Sequence, residues 1–382
     1  MDINFKESEN KKTVGNLLKD IRSVLEKARA LGLTGSQVNN LDVKEPNFHW
    51  NSLRDTRYAH RGHGLDNVLH VFQQQWFGIR AAAGSLPGHK LAVGPEGALD
   101  NASKRVLARE IQQLKPQRIV VHGMSDAMGD LVEMLAAMGM SEHVFVVIHG
   151  APAQWCSPQE ARYAFRAFEL GRSKKIRRLH VMKPGFELPD VPLYQPILMN
   201  MSPLLPNNNV IVDVVSASKS GEVLIPGWSG WRKNVQTNAL AAALCNSVKS
   251  IWVFDHTLKL PGSLNEKIRK IDYKDREQTF GLIEMVDVIM NVSIVDCHPM
   301  VHIEAQKHGK ACMRGPLFLD ALEDHPYIKL TQVSDVTSVA EIRSTLEKLL
   351  AVPVLERSEL AMDYQHQNDR VSIGRYQEFL EL

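Results

Sequence analysis

The sequence predicts an α/β protein made of two parallel-sheet units in tandem, and three observations carry that reading. Short β-rich runs alternate with stretches of helical periodicity, the order that yields parallel strands covered on both faces by helices. A proline-studded stretch holding Pro184, Pro189, Pro192, Pro196, Pro203 and Pro206 interrupts the alternation, which then restarts. The chain has 382 residues, more than one core of roughly 150 residues would serve.

In chain order, residues 1–51 read as an N-terminal helical extension, because Leu17, Leu18, Ile21, Leu25 and Ala28 recur at helical spacing within Val14–Ala30. A first domain, 52–204, is expected to open with a strand at Thr56–Ala59 and the turn His60-Arg61-Gly62-His63-Gly64. A helix carrying Val68, Leu69, Phe72, Trp76 and Ile79 should follow. Next come a strand at Lys90–Val93, a helix at Ala102–Leu114, a strand at Arg118–Val121 and a helix at Asp126–Met138. The strand Val144–Ile148, the helix Pro158–Leu170 and the strand Arg178–Met182 complete the unit.

A second domain, 205–360, restarts with strands at Val210–Val215 and Val223–Ile225, a helix at Asn234–Cys245, a strand at Ser250–Phe254, a helix at Arg276–Met285 and a strand at Asp287–Asn291. A helix at Val301–His308, strands at Lys310–Met313 and Ile328–Gln332, and a helix at Ser338–Leu350 follow. In the tail, 361–382, Ile373, Tyr376, Phe379 and Leu380 stand at helical spacing, which fits a helix returning to pack on the first domain.

Composition narrows the functional classes. Hydrophobic residues make up 44% and charged residues 23%, so the chain can bury large cores. Lys+Arg 45 against Asp+Glu 43 leaves +2, far from the basic excess of a dedicated nucleic-acid binder. No apolar run approaches the ~20 residues of a transmembrane span, and the polar start MDINFKESENKK lacks a signal-peptide core. Cys156, Cys245, Cys297 and Cys312 are widely separated, which suits reduced thiols in a cytoplasmic protein, and no cluster at metal-ligand spacing stands out. No G-x-S-x-G elbow, Walker loop or G-x-G-x-x-G fingerprint is present, so hydrolase, P-loop and dehydrogenase readings lack residues.

Three segments carry chemistry. The first is Val286–Ala311, in which a buried strand ends near Ser293, a loop holds Asp296, and a helix beginning near Pro299 carries Glu304. Backbone N–H groups at a helix N-terminus favour an anion, so His298, Pro299, Met300 and Val301 can hold a diphosphate. The plain alternative is a Glu304 that caps or salt-bridges a neighbour. The second segment, Val223–Asn234, places Gly227, Arg232 and Lys233 between a strand and an Ala-rich helix. Adjacent residues on a regular helix cannot both face one point, so either the turn is irregular or one of the two contacts a ligand. The third, Val146-Val147-Ile148-His149-Gly150, ends a hydrophobic strand with His149, where ligands of open α/β sheets bind; an ordinary loop histidine is the alternative. His122-Gly123 repeats the pattern, with Ser125-Asp126 better explained as a helix cap.

Together these segments resemble the retaining nucleotide-sugar glycosyltransferases of the GT-B fold, the glycosyl transferases group 1 type. Asp296 and Glu304 stand at the family's acidic-x7-Glu spacing, with Asp in place of the usual Glu and His298-Pro299 in place of Phe-Gly. The likeness is specific over residues 210–315 and architectural over 52–200, and does not extend to 1–50. It implies two Rossmann-like domains facing across a cleft, with the N-terminal helical segment as an addition. It implies that Glu304 accepts the ribose hydroxyls, that Gly227, Arg232 and Lys233 meet the donor diphosphate, and that His149 faces the donor sugar. Lys233 is the favoured phosphate contact, and His149, Lys233 and Glu304 form the candidate catalytic set. Asp296 and His298–Val301 complete the donor site, and Gly64 is placed in the family's first glycine-rich loop.

The activity so implied moves a sugar from a nucleotide sugar, UDP-sugars among the candidates, to an acceptor hydroxyl with retention. No metal and no other cofactor is expected. The acceptor stays open between a glycan, a lipid-linked saccharide and modified DNA. Five positive charges within Arg172–Arg178 offer a contact for an anionic surface, or form a solvated loop. A non-catalytic nucleotide-sugar-binding subunit and an enzyme acting on nucleic acid are the other readings.

Overall fold

The computed structural model describes residues 63–94, 100–203, 220–228, 230–273 and 276–382. The expected helix Val14–Ala30, the strands Thr56–Ala59 and Val210–Val215, and residues His60, Arg61 and Gly62 of the turn lie outside them.

The first half is a five-stranded sheet in the order β2-β1-β3-β4-β5, built from β1 (Val68–Gln73), β2 (His89–Val93), β3 (Arg118–His122), β4 (Val144–Ile148) and β5 (Arg178–Val181). Its helices are α1 (Phe77–Ser85), α2 (Asn101–Leu114), α3 (Asp126–Ala137) and α4 (Pro158–Arg172). Every pairing is parallel. All five residues of β4 and all six of β1 are buried, the pattern of a sheet covered on both faces. Asp100 caps α2 by accepting the Ser103 N–H at 2.7 Å, and Ser125 caps α3 by accepting the Met128 N–H at 3.2 Å.

The second half is a five-stranded parallel sheet in the order β10-β9-β6-β7-β8. Its strands are β6 (Glu222–Ile225), β7 (Ser250–Val253), β8 (Ile268–Lys270), β9 (Val288–Asn291) and β10 (Ala311–Arg314). The helices are α5 (Val235–Ala243), α6 (Arg276–Met285), α7 (Met300–Lys307), α8 (Pro326–Thr331), α9 (Val339–Ala351) and α10 (Val354–Leu380). No described helix is long and apolar enough to cross a membrane.

The structure corrects three expectations. The helix expected through Val68, Leu69, Phe72, Trp76 and Ile79 is strand β1 followed by α1. A strand buried on both faces shows no alternation, so its apolar residues mimic helical spacing. Gly64 therefore lies before β1, at the amino edge of the sheet, where the Asn67 carbonyl accepts the Gln117 N–H just ahead of β3. The expected strand Ile328–Gln332 is the short helix α8, started by Pro326 at its first position and by His325 Nδ1, which accepts the Tyr327 N–H. Only Gln332 bridges to Arg314. Strand β8 has no counterpart in the expected series.

Helix α10 ties the halves together. Near its start Ala361 and Tyr364 sit in the second half's core, with Met290, Met313 and Leu346. At its end Tyr376, Phe379 and Leu380 pack among Val120, Phe145 and Val147 of the first sheet. Between these ends it holds the irregular connection through Asn200. Asn368 Nδ2 donates to the Asn200 carbonyl, the Asp369 carboxylate accepts the Ser202 N–H at 2.8 Å, and the Ser372 hydroxyl donates to the Met199 carbonyl. In the basic run, Arg172 pairs with Glu169, Lys175 with Glu133, Arg177 with Glu142 and Glu381, and Arg178 with Glu381. Much of its charge is thus matched within the protein.

Phe379 is fully buried and meets the Phe145 ring edge-on at a centroid distance of 5.3 Å. Phe379→Ala is expected to lower unfolding free energy by about 3–5 kcal/mol, through lost transfer energy and the cavity left behind. Urea denaturation followed by fluorescence reads this as a reduced midpoint.

Candidate functional site

A cavity of about 470 Å³ opens between the two sheets, and the segments lining it follow the carboxyl ends of strands in both halves. Trp76, Phe77 and Gly78 follow β1, Gly123 and Met124 follow β3, and His149 and Gly150 follow β4. Pro226, Gly227 and Trp228 follow β6, and the loop 296–301 follows β9. In parallel sheets the loops at this edge are free of crossover packing, which is why ligands bind there.

Two glycines allow the walls to close on one another. Gly123 has φ +77°, and a Cβ on it would lie 2.6 Å from the Trp76 ring. A Cβ on Gly227 would lie 2.7 Å from Val235 and 3.3 Å from Lys233, so the turn after β6 can hug the start of α5 only without a side chain.

Arg232 and Lys233 lie on a single 3₁₀ turn, Trp231–Lys233, which ends at Asn234 in the left-handed conformation, φ 54°. The Asn234 side chain holds this conformation by donating to the carbonyls of Val292 and Val336. The turn is irregular, and both cations line the cavity. They differ in company. Lys233 Nζ donates to Asp296 Oδ2 at 2.6 Å, whereas Arg232 has no ion-pair partner within 4 Å among the described residues. Glu160, on the opposite wall at the start of α4, lies close enough to feel the Arg232 charge. Burial raises its carboxyl and Arg232 opposes the rise.

Burial pushes the Asp296 carboxyl up, but the Lys233 ammonium and the Cys297 N–H it accepts outweigh that and leave it below the usual range. The N-terminus of α7 opens on the cavity at Pro299, Met300 and Val301, and no side chain caps it. His298 is nearly buried. Its Nδ1 accepts the Asn200 N–H at 2.9 Å, so in the neutral ring the proton sits on Nε2; burial holds the ring neutral. Cys297 also lines the cavity, and burial pushes its thiol up to about 12, so at neutral pH it is no thiolate nucleophile.

Glu304 lies a turn further along α7 and does not line the cavity. It is buried and paired with Arg276 of α6, whose Nε and Nη2 both reach Oε1, at 2.8 and 2.6 Å. Gly64, at the far edge of the first sheet, is not brought to the cavity. The remaining residues singled out in the sequence, His149, Gly227, Arg232, Lys233, Asp296, His298, Pro299, Met300 and Val301, all converge there.

Sequence reasoning missed Trp76, Glu160, Asn200 and Arg276. The polar run Gln73-Gln74-Gln75 after an apolar segment marks the end of β1 and would have pointed to Trp76. Asn200, Glu160 and Arg276 carry no local signal, because their partners are remote in sequence.

No protein-family model and no curated protein sequence matches the chain. Solved structures share its fold. It is similar to trehalose-6-phosphate from E. coli bound with UDP-2-fluoro glucose (TM-score 0.52, 8% identity, over 82% of this chain and 99% of that one). It is also similar to a UDP-forming α,α-trehalose-phosphate synthase from Burkholderia xenovorans (TM-score 0.52, 11% identity, 83% and 99%), and to such a synthase from that organism in complex with glucose-6-phosphate (TM-score 0.52, 11% identity, 82% and 100%). At these identities the likeness establishes the fold: two Rossmann-like parallel sheets in the GT-B arrangement.

The Lys233–Asp296 pair yields a test with a definite sign. With its carboxyl lowered in the folded state, Asp296 contributes stability that is present above the unfolded value of about 3.9 and lost as pH falls through the folded one. In Lys233→Met, burial acts with its main opponent removed, so the carboxyl should titrate above its ordinary range. Its contribution should then be lost as pH rises instead. Carbon-13 NMR titration of the Asp296 carboxyl reads the shift directly, and denaturation at pH 4 and pH 7 reads the reversal.

Proposed function

We propose that the chain is a glycosyltransferase that moves a sugar from a nucleoside-diphosphate sugar to an acceptor hydroxyl, with retention and without a metal. One observation carries the reading. A guanidinium and a helix N-terminus that have, among the described residues, no ion-pair partner and no side-chain cap meet a lysine in one cavity of a GT-B fold, facing a histidine on the other sheet. Such a set suits a leaving diphosphate, because fixed cations and N–H dipoles stabilise charge as it develops and need no reorganisation.

In this reading Arg232 is the first phosphate contact, since it need not leave another partner. Lys233 is shared between phosphate and Asp296. Glu304, buried and paired with Arg276 behind the cavity wall, would meet the ribose hydroxyls only after that wall opens. His149 faces the sugar. The bond from the anomeric carbon to the diphosphate oxygen breaks, the acceptor oxygen bonds to that carbon on the same face, and the acceptor proton passes to the departing phosphate. The fold is shared with a structure bound with UDP-2-fluoro glucose, which makes UDP-sugars the first donors to try. The paired charges of Arg172–Arg178 weigh against a nucleic-acid acceptor held there. A binding subunit without turnover would keep the donor affinity and lack the transfer.

Calorimetric titration with UDP in the presence of chelator should show binding. Arg232→Ala should weaken it by about 1.5–3 kcal/mol, the range of a hydrogen bond to a charged group. His149→Ala should keep UDP affinity and lose sugar transfer. No binding of any nucleoside diphosphate, or binding abolished by chelator, would overturn the proposal.

A further inference from the structure

Behind His149 the first sheet carries a row of histidines, of which only His122 and His149 share a strand-end His-Gly pattern in the sequence. His70 lies on β1, His122 at the end of β3 and His149 after β4, on three strands adjacent in the sheet. His149 Nε2 is 3.0 Å from His122 Nδ1, and His122 Nε2 is 2.9 Å from His70 Nδ1. The row ends where His70 Nε2 reaches the Pro87 carbonyl oxygen at 2.8 Å. His70 and His122 are sealed from solvent, and His149 lines the cavity.

The far end sets the direction of every bond. A carbonyl oxygen can only accept, so His70 Nε2 carries a proton. In a neutral ring His70 Nδ1 is then bare and must accept from His122 Nε2–H. His122 Nδ1 is bare in turn and accepts from His149 Nε2–H. The remaining nitrogen, His149 Nδ1, is a lone pair with no partner among the described residues.

The reverse polarity would need an imidazolium in the row. Burial opposes that, and so does Lys90 when charged: burial takes its amine down to about 7, and it is held beside His70 by donating to the carbonyls of Leu86 and Gly88, at 2.7 and 2.9 Å. Burial holds His70 and His122 neutral, with Lys90 adding to it at His70 and the flanking histidines adding to it at His122, and burial with His180 beside it takes His149 down to about 3. Nor can the row conduct a proton away from the cavity, because Pro87 offers no site that could receive one.

We propose that His122 and His70 are positioning residues that hold His149 as its Nε2–H tautomer, so that the cavity presents a fixed hydrogen-bond acceptor at this point. The ligand group that fits is a neutral hydroxyl. A carboxylate in the same place would set lone pairs against a lone pair, with no proton available to relieve it. Resting on the glycosyl-transfer reading, this narrows the donor to neutral, hydroxyl-bearing sugars and against uronic acids.

Nitrogen-15 NMR of the histidine-labelled protein separates a bare from a protonated ring nitrogen. The intact protein should show His149 with bare Nδ1 and protonated Nε2. His70→Phe, which never touches the ligand, removes the anchor of the row and should let His149 average between tautomers. His70→Gln should restore the lock, because its amide can donate to Pro87 and accept from His122. Titration with UDP-glucose and UDP-glucuronate should show at least about tenfold preference for the former, reduced in His70→Phe and regained in His70→Gln. A protonated Nδ1 on His149 in the intact protein, or an unchanged His149 spectrum in a folded His70→Phe, overturns the proposal. The nitrogen spectrum does not depend on turnover. A lock found in a protein that binds neither sugar nucleotide would therefore leave the positioning role standing and remove the donor reading instead.

Discussion

The structure depends on satisfying the backbone of one buried, irregular connection. Between the two sheets the chain runs through Ile197, Leu198, Met199, Asn200 and Ser202, all nearly or fully buried and none in a helix or strand. A buried peptide group without a partner costs as much as a lost hydrogen bond, and here no ladder supplies the partners. Side chains do so. The Ile197 N–H goes to Asp320 at 3.0 Å, the Leu198 N–H to His180, the Asn200 N–H to His298 and the Ser202 N–H to Asp369. The carbonyls of Ile197, Met199 and Asn200 are taken by Arg375, Ser372 and Asn368. His298 belongs to the cavity wall, so the seam that joins the halves also sets one face of the site.

Charge in the cavity follows the same economy. Lys233 has Asp296 and Arg232 feels Glu160, so the site at rest presents little net field despite its two cations. In the proposed function a diphosphate would share Lys233 with Asp296, which would tie ligand affinity to the strength of a contact the ligand never makes.

The alternation of strands and helices was legible because parallel strands buried on both faces are continuous apolar runs bounded by turns, as at Val144–Ile148 and Arg118–His122. The same property hid β1, whose six buried residues look helical when read alone. Strand ends bring His149, Gly227 and the 296–301 loop to one cavity, since the carboxyl edge of a parallel sheet is a matter of chain direction. The adjacency of Arg232 and Lys233 could not be resolved from spacing, because the answer lies in the left-handed Asn234 and the distant carbonyls that hold it. Glu304 makes the salt bridge of the plain alternative, with Arg276, a partner remote in sequence that its spacing from Asp296 could not announce. Of the histidine row the sequence marks the shared His-Gly ends of His122 and His149, but not His70 or their contact, since the strand order β1-β3-β4 sets the members side by side.

Helix α10 has a consequence for how the molecule is made. The first sheet completes its core with Tyr376, Phe379 and Leu380, and Arg118 at the start of β3 donates to the carbonyl of Leu380 at 2.8 Å. These partners stand at opposite ends of the described chain. A ribosome emitting the protein therefore releases Phe145 and Val147 well before the residues of α10 that complete their cluster. The core of the half synthesised first is thus completed by residues that come after the whole second half. Shortening the chain by its last turns would leave the cavity residues in the sequence and remove the surface against which their sheet is built.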